Sequence, residues 1–136
     1  MPTVILGDNA YATLGGALAS TASSLTFTSG HGARFPAVSA GQNLYACLLN
    51  SNNVLEEIQI TTHTSGADSA NIVRAIGGTT AKAWSAGDRI EARISSTAIR
   101  NLFADPLAVT GTGSSVIAGP LDISGTAAGQ IVFPAV

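Results

Sequence analysis

The chain has 136 residues and a net charge of −2, with 10% charged and 5% aromatic residues, against about 25% charged residues in a typical globular protein. Its six basic residues are scattered, which argues against a nucleic-acid partner, because phosphate binding needs several of them on one face. The single cysteine excludes an internal disulfide and a multi-cysteine metal site, and no apolar run approaches the roughly 20 residues of a membrane span.

The low charge also predicts how the surface is used. A free monomer usually keeps mixed charges on its surface for solubility. We therefore expect copies of the chain, or neighbouring proteins, to cover much of this surface. The alternative is an ordinary small protein rich in alanine and threonine. Because no positive region precedes the first apolar stretch, no signal peptide is expected.

The N-terminal segment, residues 1–24, is predicted to be an extended arm. It begins with an apolar run at residues 4–6, and the pair Gly15-Gly16 disfavours a stable helix. We expect this arm to pack on a neighbouring subunit.

Residues 25–105 are predicted to form an antiparallel β-module. Residues 25–28 alternate between apolar and polar side chains, and residues 44–49 are a nearly continuous apolar run, which is typical of a buried strand. The sequence Asn-Ser-Asn-Asn at 50–53 favours a turn, and residues 57–61 alternate again. The two runs on either side of this turn therefore predict a hairpin.

A second antiparallel pair is predicted between residues 71–76 and 88–94, joined by the sequence Gly-Gly-Thr-Thr-Ala-Lys at 77–82. This sequence lacks the Gly-x-x-x-x-Gly-Lys-Ser/Thr spacing of a phosphate-binding loop between a strand and a helix. We interpret it as a connection rich in turns, over which Trp84 packs.

Residues 95–104 predict a short helix, capped by Ser95 or Ser96 and ended by Asp105-Pro106. The fold class predicted is all-β: a compact antiparallel β-sandwich or small barrel with one short helix. The order of the strands does not follow from alternating patterns.

The C-terminal segment, residues 106–136, alternates short apolar clusters with Gly-Ser-Thr turns and carries one charge, Asp122. A lone chain has little here with which to build a core, whereas three chains around one axis could bury these clusters against each other. We predict an oligomerisation or attachment segment. A disordered tail is the alternative, but the apolar ending opposes it, because disordered segments favour polar residues.

No catalytic, cofactor-binding or metal site is predicted. His31 and His63 lie in loop-like sequence without the further ligands or the orienting carboxylate that a metal or catalytic site needs, and we expect both to be solvated. Glu56 and Glu57 point to opposite faces of a strand and cannot act as a catalytic pair. Glu57 is expected to pair with an arginine such as Arg74 or Arg93.

Three stretches of the chain carry a resemblance to a known family: residues 8–36, 44–61 and 71–93. They resemble a module of tailed-bacteriophage virion proteins, and the C-terminal segment is similar to sequences that recur in phage tail fibres. The matching positions are Gly30, Gly32, Ala33, Phe35, Pro36, Tyr45, Glu57, Ile58, Thr61, Val73, Arg74, Gly78, Thr79, Thr80, Ala81, Trp84, Ala86, Gly87 and Asp88. The chain departs from the module at Ala75, where glycine is usual, and at Gln59, where lysine is common.

The resemblance implies a non-enzymatic structural protein of a virion that is assembled in the host cytoplasm. We expect a trimeric short fibre or fibre-attachment module on the tail, which contacts itself and other virion proteins, without nucleic acid or membrane as partners. A capsid decoration (cement) protein bound to the major capsid protein is the alternative. The residues predicted to make subunit or virion contacts are Val4, Ile5, Leu6, Leu14, Leu18, Val116, Ile117, Leu121, Ile123, Ile131, Val132 and Phe133.

A carbohydrate- or receptor-binding β-module is a third hypothesis. Trp84, Tyr45 and Tyr11 could stack on sugar rings, and His31 could supply a hydrogen bond. The small number of aromatic residues leaves few for such a platform.

Overall fold

A computed structural model describes residues 3–103, which form one helix, a short 3-10 turn and seven strands. The 3-10 turn is Gly32–Arg34, and the helix, α1, is Ser96–Phe103. The strands are β1 (Thr3–Ile5), β2 (Tyr11–Thr13), β3 (Ser24–Thr26), β4 (Gln42–Leu49), β5 (Leu55–Thr62), β6 (Ser69–Ile76) and β7 (Arg89–Ala92). The predicted all-β class with one short helix is confirmed. The predicted C-terminal segment lies outside the described residues.

The strands form a single curled sheet with the order β2-β7-β4-β5-β6-β3. Neighbours in this order are antiparallel, and β1 pairs in parallel with the start of β4. The sheet curls until its two outer strands meet, since Leu14 after β2 forms a bridge with Phe27 after β3. The N–H of Gly15 donates to the carbonyl of Thr26 across this junction, at 2.8 Å. The described residues therefore form a small closed barrel.

The predicted hairpin of β4 and β5 is present. Six residue pairs join the two strands, from Leu44 opposite Ile60 to Leu49 opposite Leu55. The side-chain oxygen of Asn50 accepts hydrogen bonds from two N–H groups of the turn that follows it, both at 3.1 Å. This is the local chemistry by which asparagine stabilises turns.

The predicted pairing of residues 71–76 with 88–94 is wrong. β6 pairs with β5 and β3, whereas β7 pairs with β4 and β2. The residues between β6 and β7 therefore cross one end of the barrel and pass the β4–β5 hairpin. A crossover needs a longer connection than a tight hairpin turn does, and residues 77–88 provide it.

The prediction of an N-terminal arm on a neighbouring subunit is corrected for residues 3–24. β1 and β2 belong to the sheet, and Leu14 and Leu18 are buried in the core of their own chain at 1% and 3% exposure. Ala10 and Ala12 are buried beside them. The physical reason is that the side chains at positions 10, 12 and 14 share one face of an extended segment. The small side chains of Ala10 and Ala12 therefore pack in the core, next to the place where the barrel closes.

The barrel interior is filled by alternate residues of the strands. On β5, Glu56, Ile58 and Ile60 are each fully buried, because side chains two positions apart share one face. The buried apolar cluster comprises Ala10, Ala12, Leu14, Leu18, Leu25, Phe27, Phe35, Val38, Leu44, Ala46, Leu48, Ile58, Ile60, Ala70, Ile72, Trp84 and Ile90. Cys47 is also buried, and burial raises the pKa of its thiol.

Candidate functional site

The crossover between β6 and β7 converges on the carboxylate of Glu56, which is 0% exposed. Nε and Nη2 of Arg74 donate to its two oxygens, each at 2.7 Å. The indole Nε1 of Trp84 donates at 2.8 Å, and the N–H of Lys82 donates at 3.1 Å. Within the Gly-Gly-Thr-Thr-Ala-Lys sequence, the N–H of Lys82 is therefore bound to a carboxylate of the same chain.

The charge on Glu56 is favoured by these contacts. Burial is the largest single influence and raises the pKa of Glu56, but hydrogen bonds from Arg74, Trp84 and Lys82 together outweigh it. The pKa therefore lies below its ordinary value. Arg74 also donates to the carbonyl oxygens of Ala19 and Lys82, both at 2.6 Å, so one guanidinium joins the N-terminal loop, β5 and the crossover.

A β-bulge in β6 lies next to this ion pair. Arg74 and Ala75 together oppose a single residue of β5. Ala75 has a φ of +55°, in the left-handed region that glycine adopts at no steric cost. Its N–H donates to Glu56 at 3.2 Å. The position at which the chain departs from the resembled module is thus one where the backbone favours glycine.

The predicted pairing of Glu57 with Arg74 or Arg93 is wrong. Arg74 pairs with Glu56, and Arg93 pairs with Glu91 at 2.6 Å. Glu57 points to the outer side of the barrel, where it accepts hydrogen bonds from the hydroxyls of Ser95 and Thr97. Because the two glutamates point to opposite faces, only Glu56 faces the interior with Arg74.

Glu57 and its neighbours also fix the start of α1. The hydroxyl of Ser95 accepts the N–H of Ala98 at 3.1 Å, which confirms Ser95 as the helix cap. Gly77 has a φ of +62°, and a Cβ there would lie 1.8 Å from a carboxylate oxygen of Glu57. The backbone therefore favours glycine at position 77, and a larger residue would also displace the carboxylate of Glu57.

His63 is buried, which corrects the expectation that it is solvated. It is 4% exposed, and its Nδ1 and Nε2 lie 2.8 and 2.9 Å from the carbonyl oxygens of Pro36 and Ala67. Its ring meets Phe27 edge-on, with the centroids 5.7 Å apart. His31 is half-buried, and its Nδ1 lies 3.3 Å from the N–H of Thr13. Both histidines hold loops together in this structure.

Asp68 closes the same end of the barrel. Its two carboxylate oxygens accept the N–H groups of Gly30 and Gly32 at 2.8 and 2.9 Å. These hydrogen bonds lower the pKa of Asp68 below its ordinary value. Two of the positions that carry the family resemblance therefore serve as donors that attach the 3-10 turn to the loop before β6.

The aromatic residues of the carbohydrate hypothesis do not form a common platform. Trp84 and Tyr45 are 3% and 4% exposed. Tyr11 is 49% exposed, and the guanidinium carbons of Arg34 and Arg89 lie 4.9 and 5.4 Å from the centre of its ring. Of these three aromatic residues, Tyr11 alone has an accessible ring, and two arginines already flank it.

An apolar surface is present where β1 approaches α1, and we call it the β1–α1 face. Its exposed members are Leu6 (55%), Ile94 (66%), Ile99 (46%), Leu102 (48%) and Phe103 (78%). On the helix, Ile99, Leu102 and Phe103 are three and four residues apart, so they lie close together on its surface, whereas Ala98 is buried against the barrel. The helix therefore turns its larger apolar residues away from the barrel that carries it.

A cleft of about 100 Å³ opens on this face between β1 and the start of α1. Ile5, Leu44 and Ala98 contribute apolar walls, and Asp8 and Arg93 contribute charged groups. At the helix side, the amide of Asn101 donates to the hydroxyl of Tyr45, which fixes the wall that α1 provides.

The structure separates the predicted contact residues into three groups. Leu6 is exposed and Val4 and Ile5 are half-buried, so they remain candidates for contacts. Leu14 and Leu18 belong to the core, which corrects their assignment. Those of the C-terminal segment, from Val116 to Phe133, lie outside the described residues. The sequence analysis missed Ile94, Ile99, Leu102 and Phe103, although the spacing of the last three already indicated an apolar helix side.

No protein-family model matches the chain, and no curated protein matches it. Residues 3–103 hold no group of three or more histidine, cysteine, aspartate or glutamate side chains that could bind a metal ion. In the same part of the chain, no helix has the length and apolar character to cross a membrane.

Proposed function

We propose that this protein is a non-enzymatic structural component of a tailed-bacteriophage virion, in which copies of the chain assemble through the β1–α1 face. The assembly is a trimer that acts as a short fibre or a fibre-attachment module on the tail. Its partners are other copies of itself and the virion proteins to which it is attached.

The observation that carries this proposal is the β1–α1 face. The barrel is closed and has its own apolar core, so these exposed residues are not needed to complete the fold. Contiguous apolar patches on soluble proteins commonly mark sites of protein interaction. The chain also has few charged residues, so charge repulsion does little to keep its copies apart.

The residues that carry the family resemblance support an architectural role for the module. Arg74 and Trp84 hold the crossover to Glu56, and Gly30 and Gly32 bind Asp68. Such residues determine how the barrel is built. This is what we expect of a module that is reused as a building part in different particles.

Analytical ultracentrifugation of the full chain tests the assembly. We expect a species of three times the chain mass of 13.6 kDa at micromolar concentration. Large permanent interfaces bury more apolar surface than transient ones do, so this species is expected to persist on dilution. A sedimentation profile of monomer alone would contradict the proposal.

Labelling of particles tests the location. We expect a gold-labelled antibody against the purified protein to bind the tail of virions of the phage that encodes this chain. Label on the head would favour the capsid decoration protein instead, which uses the same apolar face against the major capsid protein. Purified virions that lack the protein by mass spectrometry would contradict both.

A further inference from the structure

The end of α1 carries the most exposed large apolar side chain of the described residues. Phe103 is 78% exposed, and Leu102 and Ile99 lie beside it on the helix surface. Ala98 and Asn101 hold α1 to the barrel. Phe103 is therefore an exposed aromatic projection, the kind of side chain that contributes most to protein interfaces.

The cleft between β1 and α1 offers an incoming side chain a receptor with apolar walls. Its volume is about 100 Å³, less than that of the apolar cavity of about 150 Å³ that is known to bind benzene, so an aromatic ring enters it in part. Phe103 of the same chain does not line this cleft. It lies five residues beyond Ala98, which is roughly 7–8 Å along the helix axis.

The charges around these two features are complementary. Asp8 lies at the cleft. Arg100 precedes Phe103 by three residues on the helix, so Arg100 and Phe103 project from neighbouring positions on its surface. Within residues 3–103, neither Asp8 nor Arg100 belongs to an ion pair. Arg93 at the cleft is already paired with Glu91. A group that enters the cleft therefore meets one acidic side chain that is unpaired in this part of the chain.

We propose that Phe103 of one copy docks into the β1–α1 cleft of a second copy, with Arg100 of the first copy against Asp8 of the second. This inference rests on the proposed self-assembly and names its contact. The projection is at the end of α1 and the receptor is at its start, and we take the contact to be head-to-tail, in which each copy donates its projection to one neighbour and receives that of another. Head-to-tail contacts generate closed rings when the rotation between copies closes, and a ring of three fits the proposed trimer.

The second copy is the occupant that supplies both halves of this contact. Each copy carries one aromatic projection with a positive charge beside it and one apolar cleft with a negative charge beside it. A ring built in this way places the ends of the three barrels, from which residues 104–136 continue, in equivalent positions around one axis.

The experiment measures association of the full chain by sedimentation equilibrium. Phe103→Ser is expected to weaken association by at least about thirtyfold, as for a central interface residue. Val73→Ser is the matched control, because Val73 is an exposed apolar residue of β6 at 47% that lies outside the β1–α1 face. We expect it to associate as the unchanged protein does, and circular dichroism spectra should show the same strand signal for both variants.

A charge exchange provides a second arm. Asp8→Arg and Arg100→Asp are each expected to weaken association, and the double variant is expected to restore it, because the pair is re-formed with the charges reversed. Loss in both single variants without recovery in the double variant would overturn the proposed pairing.

The outcomes separate this inference from the proposed function. If the unchanged protein is a monomer, the proposed self-assembly fails, and the inference fails with it. If the protein is a trimer that Phe103→Ser and both charge variants leave intact, the self-assembly stands and this contact is overturned. If the cleft is occupied only by a different virion protein, seen in a map of the particle, the second copy is excluded as its occupant.

Discussion

Glu56 shows how much one side chain can organise in a chain that has so few charges. It is fully buried, and it joins Arg74, Trp84 and the crossover through hydrogen bonds of 2.7 to 3.1 Å. The sequence placed it correctly on a different face from Glu57 but did not identify it as the partner of Arg74. The alternation of residues along a strand predicts the face on which a side chain lies. Its partner in an ion pair depends on the bulge in β6 and on the crossover, which this alternation does not predict.

Glu56→Gln tests this cluster. Removing the charge leaves the guanidinium of Arg74 buried without its counter-charge, and we expect the free energy of unfolding to fall by about 3–5 kcal/mol. Glu91→Gln is the control, because Glu91 pairs with arginines whose side chains are 45% and 57% exposed. A change within about 1 kcal/mol is expected there. Urea titrations measure both, and equal losses would contradict the assigned role.

The pH dependence of stability follows from Glu56 and Asp68. Both pKa values are lowered in the folded protein from ordinary values of 4.5 and 3.8. The unfolded chain therefore binds protons at a higher pH than the folded one, and the stabilisation is complete above these ordinary values. It is lost as the pH falls through the lowered values. Urea midpoints from pH 7 to pH 2 should decrease, and Glu56→Gln should show a weaker decrease. A parallel decrease would contradict this.

Ala75→Gly is expected to stabilise the protein. The left-handed backbone at φ +55° costs a residue with a Cβ about 1–2 kcal/mol, which exceeds the roughly 0.4–1 kcal/mol of extra unfolded-chain entropy that glycine brings. We expect a net gain of up to about 1 kcal/mol. Ala83→Gly, at an exposed residue of the crossover whose own φ is not positive, should give no gain. Thermal melting compares the two variants.

At the scale of the elements, local pairings were predictable and distant ones were not. The β4–β5 hairpin follows from two apolar runs on either side of an asparagine-rich turn, and Ser95 marked the start of α1 in the sequence. The pairing of β6 with β3, and of β7 with β2, joins segments that are far apart in the chain. No local pattern encodes such pairings. The alanines at 10 and 12 also concealed a core strand, because alanine is as common in flexible sequence as in tightly packed interiors.

The closure of the barrel is tested at two adjacent glycines. A Cβ at Gly15 would lie 2.4 Å from the carbonyl oxygen of Phe27, whereas one at Gly16 would have no neighbour within 4 Å. We expect Gly15→Ala to destabilise the protein by about 1–3 kcal/mol, as in other overpacked sites. Gly16→Ala should remain within about 0.5 kcal/mol of the unchanged protein. Similar stabilities for the two variants would show that the outer strands do not approach each other this closely.

At the scale of the whole molecule, the closed barrel is complete without the segment that follows it. The chain divides into one unit of residues 1–106 and another of residues 107–136. The sequence analysis places the end of the β-module at residue 105, and this stays a prediction. It did not predict the exposed apolar side of α1, because exposure depends on which side of the helix meets the barrel.

Residues 1–106 produced alone are expected to fold. Residues 3–103 form an apolar core among themselves, so we expect cooperative thermal unfolding and the same strand signal by circular dichroism. Amide exchange should protect β4, β5, β6 and β7 more strongly than β1, because each of the four has paired neighbours on both sides. A molten or aggregated fragment would show that the second unit is needed for folding.

The junction between Leu14 and Phe27 has a consequence for how any other protein can attach. Strands that already have neighbours on both sides offer no free row of N–H and C=O groups to an incoming chain. Among the described strands, β1 keeps an open side, and β2 and β3 meet through one bridge after their ends. Each of these three strands has three residues, which is short for such an extension. Attachment to this barrel must therefore rely on the shape and chemistry of side chains, which makes it selective for its partner and protects crowded copies from fusing into fibrils.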